Sequence, residues 1–137
     1  MKIAICGSIV FYKEMESVRD TLMGLGHEVK MPQPSLEIPD VEHGDEKSAN
    51  HGMLDLKEQA MKDHYGIIDW CEAILVVNGQ KNGIAGYIGG NTLIEIGAAF
   101  YLKKKIFILN PVSSGISYRQ EIMAMKPMVL EGDLTKI

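Results

Sequence analysis

The sequence predicts an α/β fold of the flavodoxin or Rossmann-like type, a parallel five-stranded sheet with helices on both faces. Two observations lead to this prediction. Short apolar runs alternate along the chain with segments of helical spacing, which is the pattern of βαβ units. These runs are also nearly continuous, as in strands that are covered on both faces. The chain has 137 residues without a visible repeat, so we expect one domain over residues 1–137.

Five strands and four helices are predicted in alternation. Strands are expected at residues 2–6, 27–31, 73–77, 106–109 and 128–130, and helices at residues 10–25, 53–70, 92–102 and 117–125. In a sheet of this type, ligands bind at the carboxyl ends of the strands, near the point where the strand order reverses. The turns after the first and third strands are therefore the expected position of a site.

Residues 32–52 stand apart from this alternation. They contain three prolines, several acids and His43 and His51, with little periodicity. A segment of this length is either a lid or binding loop or a mobile surface excursion, and the sequence leaves both readings open.

The composition argues against several kinds of partner. The formal net charge is −4, and the one lysine run, residues 103–105, lies at a predicted helix end, where it complements the helix dipole. We therefore expect no nucleic-acid partner. No apolar stretch approaches the roughly 20 residues of a membrane span. Cys6 and Cys71 lack metal or redox spacing, and no histidine has ligand spacing to either, so we expect a cytoplasmic protein with reduced thiols and neither metal nor cofactor.

Two glycine-rich turns are candidates for ligand binding. At residues 6–8, CGS, backbone N–H groups at the start of a helix form a natural anion site, although any βα turn can use glycine. Residues 78–92, NGQKNGIAGYIGGNT, hold more Gly and Asn than a crossover needs, which fits either a shaped pocket or a flexible connection. The candidate substrate- or phosphate-binding residues are Gly7, Ser8, Phe11, Asn78, Tyr87, Gly89, Gly90, Asn91 and Thr92.

Glu95 is a lone acid in an otherwise apolar helix. The spacing from Thr92 to Glu95 matches a capping box, in which the acid bonds back to the amide of the cap residue, and spacing alone favours this interpretation. A functional carboxylate would lie in the same place, at the mouth of the sheet. Burial would raise its pKa and the helix end would lower it, and the sequence does not decide between these effects.

His64 has apolar neighbours at Ile67 and Ile68. A hydrogen-bonded core histidine is the default interpretation. Alternatively, His64 points into the same cleft as Glu95 and donates a proton, since the ordinary pKa of histidine suits neutral pH.

Four motifs, KIAICGS, DWCEAILVVN, YIGGNTLIEIGAA and KKIFILNP, resemble the nucleoside 2-deoxyribosyltransferase superfamily. The similarity is to its small branch, which includes the 2′-deoxynucleoside 5′-phosphate N-hydrolases and uncharacterised relatives. It spans roughly residues 2–130 in the expected order, and its most specific part is T-x-x-E-I-G-x-A at residues 92–99.

The resemblance implies an enzyme that acts on an N-glycosidic bond. In the family, the glutamate matching Glu95 attacks the anomeric carbon of deoxyribose, and water or another base resolves the covalent glycosyl-enzyme. The departing base must also be protonated. The family aspartate for this step falls on or beside His64, with Asp63 next to it, so a histidine would be the donor in this chain.

A second departure from the family concerns base exchange. Transferase members carry an aspartate six residues before the nucleophile, where this chain has Gly89. Hydrolysis therefore fits better than transfer. The phosphate of the substrate would be held by Gly7, Ser8 and the amides of residues 89–92, with Lys13 as the nearest cationic side chain in sequence.

The leading hypothesis is hydrolysis of a (deoxy)nucleoside 5′-monophosphate, with a small-molecule nucleotide or nucleoside as the partner. By family resemblance we expect a homodimer or higher homo-oligomer, in which Ser113 and Ser114 of a neighbour complete the pocket. The alternatives are a non-catalytic nucleotide-binding or sensing module, a base-exchanging deoxyribosyltransferase, and an enzyme acting on another ribosyl compound. A weaker similarity to the G-G-x-G-T-x-x-E motif of phosphoribohydrolases is off by one residue in spacing.

Overall fold

The sheet of the computed structural model has five strands, all parallel. The structure describes residues 1–33 and 51–137. The strands lie in the order β2-β1-β3-β4-β5, which is the predicted architecture. Their bounds are β1 Lys2–Cys6, β2 Glu28–Lys30, β3 Ala73–Val76, β4 Lys105–Ile108 and β5 Met128–Val129. The chain runs outward from β1 to β2 and then crosses to β3 on the other side of β1, so the strand order reverses at β1.

Helices cover both faces of the sheet, as predicted. The helices are α1 Tyr12–Gly24, α2 His51–Trp70, α3 Gly90–Tyr101 and α4 Arg119–Ala124, and short 3₁₀ turns cover Ile9–Phe11 and Leu134–Lys136. Helix α1 packs on one face through Met15, Val18 and Leu22. Helices α2, α3 and α4 pack on the opposite face, where their buried residues form one cluster with the inward-facing residues of the strands.

Strand alternation decides which side chains meet α2 and α3. Along β1, Ile3 and Ile5 face the α1 side, while Ala4 and Cys6 face the α2–α3 side. A strand turns successive side chains to opposite faces, so the last residue of β1 is directed toward these two helices. Cys6 therefore lies at the carboxyl end of the central strand, at the edge where a ligand is expected.

The turn after β1 requires glycine. Gly7 has φ +153°, and a Cβ added there would lie 2.6 Å from the carbonyl oxygen of Val77 and 2.8 Å from Met15 Cε. Both contacts are far too short, so another residue would displace the backbone just after β3 as well as the end of the Met15 side chain. The close approach brings the β1–α1 turn against the end of β3.

Each helix begins two residues away from its predicted start, and the difference matters most at α3, which begins at Gly90 instead of near Thr92. Its cap residue is Gly89, in an extended conformation, and no side chain caps the helix. The capping-box interpretation of Glu95 is therefore wrong, because Thr92 is already inside the helix and Glu95 lies in its second turn. Gly89 supplies the extended backbone at the helix entry, and Gly90 is the first helical residue.

The segment predicted as a lid or surface excursion falls mainly on residues 34–50, outside the described residues. Within the described ranges, no helix is long and apolar enough to cross a membrane.

Candidate active site

A cavity of about 470 Å³ opens at the carboxyl ends of β1 and β3. Its walls come from the β1–α1 turn, one face of α2, the β3–α3 loop and the start of α3. The residues lining it are Gly7, Ser8, Ile9, Pro32, Gln33, Lys57, Ala60, Met61, Asp63, His64, Ile67, Lys81, Tyr87, Gly89, Gly90, Asn91, Thr92 and Glu95. This volume lies within the range of small-molecule sites.

Most of the predicted site residues meet in this cavity. Glu95 and His64 both line it, and so do most of the predicted binding residues. Those that do are Gly7, Ser8, Tyr87, Gly89, Gly90, Asn91 and Thr92. The turns after the first and third strands therefore do form one pocket.

Two predicted binding residues have structural contacts elsewhere. The ring of Phe11 is buried in the α1-side core, where it packs so closely on Gly79 that a Cβ there would lie 2.8 Å from it. Asn78 is fully buried, and its side chain exchanges hydrogen bonds with the main chain of Asn110 at 2.8 Å in both directions. Asn110 Nδ2 also donates to the Asn78 carbonyl at 3.0 Å, so Asn78 ties the end of β3 to the end of β4.

Ser113 and Ser114 are not among the described residues that line the cavity. Ser113 Oγ accepts a hydrogen bond from the Gly115 amide at 3.1 Å, within its own loop. Their contribution to a neighbouring subunit, like the oligomeric state, stays a prediction.

Glu95 is buried at the bottom of the cavity. It is 6 % exposed, and among the described residues its Oε2 has no hydrogen-bond partner. Burial raises the pKa of the Glu95 carboxyl to about 8, although a hydrogen bond with Cys6 opposes the shift. A carboxyl with this pKa is mostly protonated at neutral pH. Burial thus outweighs the helix dipole at this position, because the dipole acts mainly within the first turn.

His64 lies on α2 directly opposite Glu95. Its Nε2 is 3.6 Å from Glu95 Oε1 and 3.3 Å from Cys6 Sγ. Burial lowers the pKa of His64 to about 4, so the ring is neutral at pH 7. Its Nδ1 has no hydrogen-bond partner among the described residues. His64 is thus buried and hydrogen-bonded through Nε2, as in the default interpretation, and it also lines the cavity beside Glu95, as in the alternative.

Cys6 completes a cluster that the sequence analysis missed. Its thiol contacts the His64 ring, and the candidate ligand atoms of Cys6, His64 and Glu95 lie within 4.8 Å of one another. Burial, together with the negative charge of Glu95, raises the pKa of Cys6 well above its usual range. The alternation of β1 and the position of Cys6 before Gly7 were the available signals, since they place the thiol at the sheet edge.

Two lysines bring positive charge to the cavity. Lys57 comes from α2 and Lys81 from the β3–α3 loop. Lys13, the cation nearest in sequence to the predicted phosphate-binding turn, is not among the lining residues. Lys81 Nζ lies 5.3 Å from the centre of the Tyr87 ring, a cation–π contact. On α2, Lys57, Met61 and His64 share one face because their spacing follows the helical repeat. Only the packing of α2 on the sheet brings this face to the pocket.

No known family model matches the chain, and neither does any curated protein. Solved structures do match it. A 2-deoxyribosyltransferase from Bacillus psychrosaccharolyticus superposes with a TM-score of 0.62 at 21 % identity, over 91 % of this chain and 82 % of that one. The CMP N-glycosidase of Clostridium botulinum has a TM-score of 0.55 at 16 % identity, over 96 % of this chain and 90 % of that one.

A 2-deoxyribosyltransferase from Leishmania mexicana has a TM-score of 0.51 at 18 % identity, over 80 % of this chain and 65 % of that one. At these identities the likeness is one of fold. The chain shares the fold of these 2-deoxyribosyltransferases and of the CMP N-glycosidase, and the predicted resemblance is confirmed at the level of the fold.

Proposed function

We propose that this protein hydrolyses the N-glycosidic bond of a (deoxy)nucleoside 5′-monophosphate, with Glu95 as the nucleophile. The observation that carries the proposal is the position of the Glu95 carboxyl. It is buried, it does not cap its helix, and it faces a ligand-sized cavity at the point where the strand order reverses. Burying a carboxyl group that does not cap its helix lowers the stability of the protein. A catalytic role would explain why a glutamate is found at this position.

The proposed chemistry has two steps at C1′ of the sugar. In the first, a Glu95 carboxylate oxygen attacks C1′, the C1′–N bond breaks, and the base leaves with a proton. In the second, water attacks C1′ of the glycosyl ester, and the carboxylate is released. Two displacements retain the configuration at C1′, as in retaining glycosidases.

His64 is proposed to carry the proton between these groups. At neutral pH the pair holds one proton, which rests on Glu95 because the pKa values are about 8 and about 4. Transfer to His64 Nε2 leaves a carboxylate nucleophile and an imidazolium that can protonate the departing base. Asp63, which also lines the cavity and accepts a hydrogen bond from Gln59 at 2.8 Å, is the other acid within reach.

Positive groups around the cavity favour an anionic substrate. The first residues of α3, Gly90 to Thr92, line the pocket at a helix start that no side chain caps, so their amides can bind an anion there. Lys57 and Lys81 add two positive charges to the lining. A 5′-phosphate bound by these groups would orient C1′ toward Glu95, and the exposed part of the Tyr87 ring offers a surface on which a base can stack.

A second candidate is a non-catalytic nucleotide-binding module. The observation that favours it is the high pKa of Glu95, since a carboxylic acid is a poor nucleophile. This module would use the same cavity and the same anion-binding groups without breaking the glycosidic bond.

One experiment separates the two candidates. The full chain is incubated with a panel of deoxynucleoside and nucleoside monophosphates, and free base is measured by chromatography. We expect release from at least one nucleotide, and a loss of about 1,000-fold or more in Glu95→Gln. Glu121→Gln, which changes an exposed glutamate of α4, is the matched control and should behave like the wild type. Ligand-induced shifts in melting temperature without base release would favour the binding module.

A further inference from the structure

The cluster of Cys6, His64 and Glu95 has the composition of a transition-metal site. The three side chains offer a sulfur, an imidazole nitrogen and a carboxylate oxygen, which are the ligand types that Zn²⁺ prefers. The residues are far apart in sequence, so their spacing along the chain could not reveal the set. They are also 0 %, 4 % and 6 % exposed, respectively, which is unusual for three ionisable groups in contact.

The distances fit a tetrahedral ion. Standard bond lengths to zinc place neighbouring ligand atoms about 3.4 to 3.6 Å apart. Cys6 Sγ lies 3.3 Å from His64 Nε2, and that nitrogen lies 3.6 Å from Glu95 Oε1. The third separation is no more than 4.8 Å, which rotation of the Glu95 side chain can shorten.

Unsatisfied polar atoms are a second, independent observation. Among the described residues, Glu95 Oε2 is buried without a hydrogen-bond partner, so the protein groups alone leave one oxygen of this carboxyl available to an ion, whereas the unpartnered His64 Nδ1 is not the proposed ligand atom. A divalent cation held by a thiolate and a carboxylate would also make the cluster neutral overall. The fourth position of the ion would face the cavity, because both His64 and Glu95 line it.

We propose that Cys6, His64 and Glu95 form a site for Zn²⁺ or a similar thiophilic divalent cation, and that the bound ion inhibits the enzyme. Binding forms three bonds to the metal, from Sγ, Nε2 and a carboxylate oxygen. The thiol proton and the proton shared by Glu95 and His64 leave to solvent. Coordination through one oxygen draws electron density from the Glu95 carboxylate, so its remaining oxygen is a poorer nucleophile for attack on C1′. The inhibitory effect rests on the proposed function, but the binding does not.

Cobalt spectroscopy tests the binding. The full chain, freed of metal with a chelator, is titrated with Co²⁺. We expect one equivalent to produce a sulfur-to-cobalt charge-transfer band and the intense visible bands of four-coordinate cobalt. Cys6→Ser should lose the charge-transfer band and bind at least about 100-fold more weakly, since loss of a direct ligand exceeds the 10- to 100-fold effect of an outer-shell change. Only weak octahedral bands in the wild type would overturn the proposal.

Cys71→Ser is the matched control. Cys71 is the other cysteine, also buried on the α2–α3 side, and its thiol donates to the Ile68 carbonyl at 3.0 Å. Its replacement should leave the cobalt spectrum unchanged, and a charge-transfer band lost in Cys71→Ser but kept in Cys6→Ser would reject the site. If Cys6→Ser does not fold, His64→Gln decides the question, because removing the imidazole should weaken binding to a similar degree.

Inhibition is measured separately. One equivalent of Zn²⁺ should stop base release in the wild type, a chelator should restore it, and Cys6→Ser should need at least about 100-fold more Zn²⁺ for the same relative inhibition. Full activity with the site loaded would overturn the inhibitory role. If no nucleotide releases base, the proposed function fails, while the cobalt spectra still decide whether the metal site exists.

Discussion

Burial is the main determinant of the pKa of the Glu95 carboxyl. Glu95 lies in the second turn of α3, beyond the strongest effect of the helix dipole, and burial raises its pKa to about 8. The opposite shift at His64, to about 4, has the same cause, because burial disfavours the charged form of each group. Near neutral pH the pair therefore holds one proton, and that proton is on the carboxyl.

The pH dependence of kcat/KM follows from this proton count. The reactive pair of carboxylate and imidazolium contains as many protons as the resting pair, so its fraction is constant between the two pKa values. We expect a plateau between about pH 4 and about pH 8. The rate should fall below it, where a second proton binds, and above it, where the shared proton is lost. Initial rates of base release across this range measure the profile.

A rate that climbs through pH 8 and stays high would contradict the role of His64, because the active form would then need only ionised Glu95. His64→Gln provides the comparison and should lower kcat by about 100-fold or more, the usual effect of a general acid. The phosphate of the substrate ionises near pH 6, which lies inside the plateau, and could add its own step to the pH profile. The profile measured with an uncharged nucleoside as substrate shows which part comes from the phosphate.

Residue-level features were predictable where the signal is local. Glu95 and Gly7 could be singled out because one is a lone acid in an apolar helix and the other ends a strand. Cys6 and the two cavity lysines were not found, because their roles depend on which helix packs over the carboxyl end of β1. The hydrogen bonds of Asn78, a predicted binding residue that does not line the cavity, were not foreseen for a similar reason, since its partner Asn110 lies at another strand end.

At the scale of the elements, the turn between β1 and α1 is the most constrained part of the site. Gly7 brings this turn into contact with the carbonyl of Val77, and the same turn forms one wall of the cavity. Strand and helix positions were predicted well because their hydrophobic patterns are strong. The start of α3 was misplaced, since Gly89 and Gly90 carry no side-chain capping signal.

Gly7→Ala should destabilise the protein by about 1 to 3 kcal/mol, since the added methyl group would meet backbone of β3 in a conformation unfavourable for alanine. Gly66→Ala is the matched control. It lies within α2, and a Cβ there meets nothing within 4 Å. It should stabilise the helix by up to about 1 kcal/mol. Chemical denaturation of both variants measures the free energies of unfolding, and equal effects would contradict this description of the turn.

For the whole molecule, the two buried groups make stability depend on pH. Glu95 has its pKa raised from 4.5 to about 8, so its stabilising contribution is complete below pH 4.5 and is lost as pH rises to about 8. His64 has its pKa lowered from 6.5 to about 4, so its contribution grows over the range from pH 4 to pH 6.5. The two slopes oppose each other up to pH 6.5, and only that of Glu95 remains above it.

The free energy of unfolding should therefore fall between pH 6.5 and pH 8 by about 2 kcal/mol, at about 1.4 kcal/mol per pH unit. Glu95→Gln, whose side chain does not ionise, should remove this fall. Urea denaturation of both proteins at several pH values gives the comparison. Parallel curves for the wild type and the variant would mean that Glu95 is already ionised in the folded protein.

The stereochemistry of sugar transfer to methanol tests the nucleophilic role of Glu95 most directly. Methanol competes with water for the glycosyl-enzyme, and the methyl glycoside that forms does not change its anomeric configuration afterwards. Nuclear magnetic resonance of this product from a β-nucleotide should show the retained β configuration, and Glu95→Gln should yield none. An α-glycoside would mean that the acceptor displaces the base in a single step, without a covalent bond to Glu95.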